Sequence, residues 1–228
     1  MVRWKAVAAD VDGTLTERRG SLLISVEAVA AVRMLEASGI TVLLVSGNSL
    51  PITAGLARYI GARGPSVAEN GCVIFHEGRI VHVCEGRPPD ELVAELESLG
   101  FRQSWQNTYR HHDLAFYVPR ERLDDALRVV EKYGMQAYYS GYALHVQPPG
   151  GGKGVGVRRA LQLVGVDPSE TIAVGDGPND IPLLEAVGAS ACPGDADERV
   201  KAIVDYVAQA PGGRGFAEIA RLVVEGGL

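Results

Sequence analysis

A chain of 228 residues in which 46% of side chains are hydrophobic and 22% charged can bury the core of one large or two modest domains, and its composition excludes extended disorder. The 22 basic and 28 acidic residues give a net charge of -6 without a basic run, which excludes nucleic acid as an expected partner. No apolar run approaches the roughly 20 residues that span a bilayer, so no membrane association is expected, and the N-terminal MVRWKAVAAD lacks the cleavage pattern of a signal peptide.

MVRWKAVAAD reads as a first strand running into the acidic turn DVDGTLT, Asp10 to Thr16. A helix starts near Ser25, a good N-cap, with Val26, Val29, Ala30, Met34 and Ala37 on its apolar face. After Gly39 the unbroken apolar run of ITVLLVSGNS predicts a central strand of a parallel sheet, and Ser49 with Pro51 opens another helix. Beyond SVAENG the rhythm changes: CVIFHEGRIVHV reads as an antiparallel hairpin. A helix over 90–99, the strand DLAFYV, a helix over 121–133 and the strands MQAYYS and YALHVQ complete an α+β insert. A helix after Lys153, the strand TIAVGD, a helix after Asn179 and two weaker segments ending in GFAEIARLVV then resume the first pattern. The expected fold is therefore α/β: a Rossmann-like parallel-sheet core from residues 1–75 and 149–228, interrupted by an α+β cap over 76–148. Cys72, Cys84 and Cys192 are widely spaced and form no CxxC. They predict neither a disulfide framework nor a zinc site and fit a reducing, cytoplasmic setting.

Four polar stations stand at strand ends or helix starts of the α/β part: Asp10 with Asp12, Ser46, Lys153, and Asp176 with Asp180. Asp10 and Asp12, two apart at a strand's carboxyl end, would project to one face where open α/β sheets bind ligands. In order, DVDGT, Ser46 in LLVSGN, Lys153 in GGKG and GDGPND resemble the four motifs of the haloacid dehalogenase superfamily, whose commonest members are Mg²⁺-dependent phosphatases. A small α+β cap between the second and third motifs is similar to the sucrose-phosphate-phosphatase-like branch. Length and motif wording look most like its archaeal-type phosphoglycolate phosphatases.

The resemblance implies a role for each station. Asp10 would be the nucleophile that takes the phosphoryl group and Asp12 the acid and base. The latter role needs a carboxyl pKa raised above about 3.9. Mg²⁺ would be held by Asp10, Asp176, the backbone carbonyl of Asp12 and Asp180, directly or through water. Ser46, Gly47, Asn48 and Lys153 would bind the phosphoryl oxygens, Gly13 would free the turn, and Thr14 would hydrogen-bond locally. The partner is then a small phosphorylated metabolite; nothing in the sequence sets the oligomeric state.

Each residue also has a plainer reading. Ser46 could cap a helix, Lys153 could be an exposed lysine, and Asn179 and Asp180 could start a helix. GGKG is no Walker loop and GDGPND no dinucleotide fingerprint, because the required glycine or hydroxyl positions are otherwise filled. Glu69 and Asn70 resemble a stretch before the cap in related phosphatases, or form a turn. His111, His112 and His145 read first as structural, and Arg110 as the better candidate for a substrate carboxylate. A sugar-phosphate phosphatase or phosphomannomutase-like phosphotransferase is the nearest alternative. A non-catalytic phosphate-binding regulator is a more distant one, which would not need both acids.

Overall fold

A computed structural model describes residues 4–228; the first three residues of the expected first strand lie outside the described residues. In chain order the elements are β1 (Ala6–Asp10), α1 (Val26–Ala37), β2 (Thr41–Val45), α2 (Leu50–Ile60), β3 (Ser66–Ala68), β4 (Val73–His76) and β5 (Arg79–His82). Then follow α3 (Asp90–Ser98), β6 (Arg102–Gln103), β7 (Leu114–Tyr117), α4 (Leu123–Lys132), β8 (Gln136–Tyr139) and β9 (Leu144–Gln147). The chain ends with α5 (Lys153–Val164), β10 (Thr171–Val174), α6 (Ile181–Leu184), β11 (Ala189–Cys192), α7 (Glu198–Lys201), β12 (Tyr206–Val207) and α8 (Gly212–Glu225).

The large sheet has the order β12-β11-β10-β1-β2-β3-β4-β5. It is parallel from β12 to β3 and antiparallel at β4 and β5. AVAAD and TVLLV take its centre because they have apolar side chains for both faces. On one face Val7, Val42 and Leu44 pack with Val32, Leu35, Phe216 and Ile219 of α1 and α8. On the other, Ala8, Leu43 and Val67 pack with Val157, Leu161 and Leu183 of α5 and α6. The insert builds a second sheet, β6-β7-β9-β8, over its own core of Leu92, Leu96, Phe116, Val130 and Leu144. Each layer thus has the apolar partner that a half-buried helix or sheet requires.

Two expectations need correcting. The hairpin β4–β5, expected in the insert, extends the large sheet: Val67 pairs with Ile74, and Ile74 with Val81. The reason is packing, since Ile74, Val81 and Val83 join the apolar cluster around Val67 and Val157. The excursion from the core therefore starts after β5. The helix expected after Asn179 is shorter than its sequence pattern implied, a 3₁₀ turn at Pro178–Asp180 followed by the single turn of α6.

The cysteines depart further from expectation, because Cys72 and Cys84 form a disulfide. They flank the hairpin, and the amides of Val83 and Cys84 both donate to the Cys72 carbonyl. A separation of 12 residues looks wide along the chain but closes to contact once β4 and β5 fold back on each other. Closing a loop of this size removes about 3 kcal/mol of chain entropy from the unfolded state. The double variant Cys72→Ser/Cys84→Ser is expected to melt roughly 6–12 °C lower by calorimetry, with the wild type falling equally in strong reductant.

Candidate active site

Strand order reverses at β1 and β10, and in such sheets the crevice at the carboxyl ends is where ligands bind. Asp10 is the last residue of β1, Ser46 follows β2, Asp176 lies two residues beyond β10, and Lys153 opens α5. The four stations that are far apart in sequence therefore meet at one point. Lys153 Nζ donates to Asp10 Oδ1 at 2.6 Å and to Asp180 Oδ1 at 2.5 Å. The other Asp180 oxygen accepts from the amides of Asp176 (3.1 Å) and Gly177 (3.0 Å), which fixes the GDGPND turn. Gly13, at φ +95°, permits a close approach in the site: a Cβ there would stand 2.5 Å from the Asp176 carboxylate.

One carboxylate oxygen from each of Asp10, Asp176 and Asp180 lies within 4.8 Å of the others, and all three residues are buried. This cluster can hold a metal ion. Burial and the charge of Asp180 push the Asp10 carboxyl well above the usual range, and the same two causes raise Asp176 to about 7. Lys153, although burial opposes its charge, is held protonated by Asp10 and Asp180. Among the described residues the clustered carboxylates of Asp10, Asp176 and Asp180 make ion pairs with two cations, Lys153 and Arg19, the latter with Nε 2.6 Å from Asp176 Oδ2. The excess of carboxylates over cations and the all-oxygen donor set suit a hard divalent cation.

The Asp12 side chain stands apart from that cluster and reaches the cleft. The surrounding protein displaces enough water to raise its carboxyl, against the pull of Lys153 and of the hydrogen bond from Asn48. Asn48 Nδ2 donates to Asp12 Oδ2 at 2.8 Å. Ser46 Oγ accepts from both the amide and Nδ2 of Asn48 at 3.0 Å, so Ser46 orients Asn48 rather than capping a helix. Thr14 Oγ1, expected to bond locally, is buried without a hydrogen bond. Thr16 does that work, accepting from the Gly13 amide and donating to the Arg18 carbonyl.

The insert closes over this group through a continuous polar chain. Asn48 Oδ1 accepts from Gln106 Nε2 at 2.9 Å, and Gln106 Oε1 accepts from the Ser49 amide and from Arg110. Arg110 pairs with Asp113, whose other oxygen accepts from Asn70 Nδ2 (3.2 Å) and faces His145 Nδ1 at 3.0 Å. Glu69, fully buried, accepts the backbone amides of His111, His112 and Asp113. Glu69 and Asn70 are thus both a turn, with φ of +53° and +51°, and the core's grip on the insert. His111 and His112 stand at the joint itself: His112 bonds the Gly86 carbonyl and His82, each at 2.8 Å. Of the three histidines weighed in the sequence, only His145 reaches the site.

A model of the haloacid dehalogenase-like hydrolase family matches residues 7–118 and 120–219. The chain belongs to this family. The hydrolase is 46% identical over 225 residues to a phosphoglycolate phosphatase of Aeropyrum pernix, covering 97% of this chain and 94% of that one. A phosphoglycolate phosphatase of Metallosphaera sedula is 40% identical over 221 residues, at 96% and 99% coverage. A solved structure from Thermoplasma acidophilum superposes with a TM-score of 0.89 at 29% identity, covering 96% of the hydrolase and 98% of its own chain. A solved subclass IIB sugar phosphatase shares the fold at 20% identity, with a TM-score of 0.76 over 95% and 98% of the two chains.

Sequence reasoning missed Arg19, Gln106 and Asp113 in this hydrolase. No short motif holds them; each reaches the site only because a loop or the insert folds onto the core. Asp113 carries a pH consequence. Burial alone would raise its carboxyl, but Arg110 and His145 together hold it below the usual range. A folded-state pKa below the unfolded one adds stability that is present above the unfolded value, about 3.9, and is lost as pH falls through the folded value. Acid melts of the wild type are therefore expected to show a loss of stability below about pH 4 that Asp113→Asn lacks.

Proposed function

We propose that this hydrolase is a Mg²⁺-dependent phosphatase that cleaves 2-phosphoglycolate to glycolate and phosphate through a phosphorylated Asp10. The observation that carries the reading is the convergence of Asp10, Asp12, Lys153 and the Asp176–Asp180 pair at the strand switch point. The substrate is supported by the names of the relatives at 46% and 40% identity. Mg²⁺, held by the carboxylates of Asp10 and Asp176, the carbonyl of Asp12 and Asp180, would supply charge neutralisation at the phosphoryl group.

In the first half-reaction an Asp10 oxygen forms a bond to phosphorus as the ester P–O bond breaks, and Asp12 gives its proton to the departing oxygen. In the second, Asp12 takes a proton from water while the water oxygen bonds to phosphorus and the P–O bond to Asp10 breaks. The raised Asp12 carboxyl suits it to the first proton transfer, and Asn48 keeps it aimed. Lys153 steadies charge on the phosphoryl oxygens and on Asp10, and Ser46, Gly47 and Asn48 line the same group. Residues from Cys84 to Gly150 act as the cap that excludes water. A cytoplasmic setting fits a small phosphorylated metabolite.

A panel of phosphate monoesters, assayed with Mg²⁺ and after chelation, tests this reading. Release that depends on Mg²⁺ and ranks 2-phosphoglycolate above hexose phosphates is expected. Metal-independent release would refute the mechanism, and a preference for hexose phosphates would replace only the substrate.

A further inference from the structure

We propose that His145 is the specificity-determining residue of this site, reading the carboxylate that a two-carbon substrate carries at the end opposite its phosphate. The inference rests on the phosphoglycolate reading and adds to it the residue that selects the acid. Arg110, the side chain whose chemistry best suits a carboxylate, is already spent. Its side chain is 1% exposed, paired with Asp113 and turned toward Gln106. That pairing serves His145 instead. Asp113, neutralised by Arg110 on one oxygen, uses the other to hold His145 Nδ1.

The position of the ring is equally constrained. Its Cε1 lies 3.4 Å from where a Cβ would stand on Gly47, the middle residue of the Ser46–Asn48 loop. Among the described residues Nε2 makes no hydrogen bond, although the side chain is only 8% exposed. A side chain oriented by a buttressed carboxylate, set beside the phosphoryl loop and left with one free nitrogen, is prepared for a ligand group. The type of group follows from charge. Because Arg110 already balances Asp113, a carboxylate arriving beside the ring meets no uncompensated negative charge on that pair, and Nε2, protonated on binding, satisfies it with a charge-assisted hydrogen bond. Glu69 makes this contact conditional on the closed insert, since it holds the amides of residues 111–113 and so keeps Asp113 in place.

The test compares kcat/KM for 2-phosphoglycolate and for ethyl phosphate, which has the same two-carbon leaving group without the carboxylate, in the presence of Mg²⁺. The wild type is expected to prefer the acid, and His145→Gln to lose about 10- to 100-fold of that preference, mainly through KM, with ethyl phosphate hydrolysis little changed. His145→Lys, which restores a cation, is expected to recover part of the preference. Asp113→Asn is expected to raise KM for the acid more than it lowers kcat. An equal loss on both esters, no loss on either, or a wild type without preference for the acid would overturn the assignment. A wild type that releases phosphate from no ester would instead bring down the phosphatase reading, and this proposal with it. One readout needs no variant: glycolate should inhibit wild-type ethyl phosphate hydrolysis competitively where ethanol at equal concentration does not, and its failure to do so counts against His145.

Discussion

Asp10→Asn is expected to lower kcat at least ~10³-fold, the scale on which removal of a catalytic nucleophile acts. The substitution keeps the shape of the side chain and its contact with Lys153, so the fold should survive and calorimetry should show no loss of stability. Asn has no carboxylate to form the acyl phosphate, and the neutral side chain is a weaker ligand in the acidic cluster. A rapid-quench experiment sharpens the expectation. The wild type should trap label from a radioactive phosphate ester in acid-stable protein, and Asp10→Asn should trap none. Label on any residue other than Asp10 would exclude the mechanism.

The second large effect concerns Lys153, which joins structure and chemistry in one atom. Its ammonium bridges Asp10 and Asp180, with side chains 2%, 5% and 1% exposed respectively. Lys153→Met fills the same space without charge, leaving three buried carboxylates with Arg19 as their one ion-pair partner among the described residues. Breaking a buried pair from one side costs about 3–5 kcal/mol, so the apparent melting temperature without metal should drop by roughly 6–20 °C. Mg²⁺ should restore much of that loss, because a cation bound only by the folded state stabilises it by mass action. It should not restore turnover, because the proposed mechanism uses the Lys153 ammonium on the phosphoryl oxygens. A variant that melts like the wild type in chelator would refute the charge balance proposed for this site.

The strands that carry Asp10, Ser46 and Asp176 were legible because parallel strands buried on both faces are apolar without interruption, and each ends in a polar turn. The order of these turns also made the site legible, since few chemistries ask for acids and a hydroxyl at strand ends together with a lysine at a helix start. The environment that raises the Asp12 carboxyl was not legible. It comes from burial by the folded chain, which outweighs the opposing pull of Lys153 and Asn48, and burial at one residue is set by segments distant from it in sequence. The hairpin β4–β5 was misassigned for a related reason. An antiparallel pair reads the same whether it ends a large sheet or starts a small one, and only the packing of Ile74 and Val81 against α5 decides. Arg110 illustrates the limit most clearly: its type was read correctly as a carboxylate partner, but the carboxylate is Asp113, three residues away.

The Cys72–Cys84 bond has a topological consequence. A Cβ on Gly151 would lie 2.6 Å from Cys84 Sγ and 2.8 Å from Cys72 Sγ, so the chain leaves the large sheet and returns to it at the same point in space. Neither sheet borrows a strand from the other. The segment between can therefore be exchanged, as one module on a two-stranded stalk, without breaking a hydrogen bond of the sheet beneath. New leaving-group preferences can be grafted onto unchanged phosphoryl-transfer machinery by rewriting that module alone.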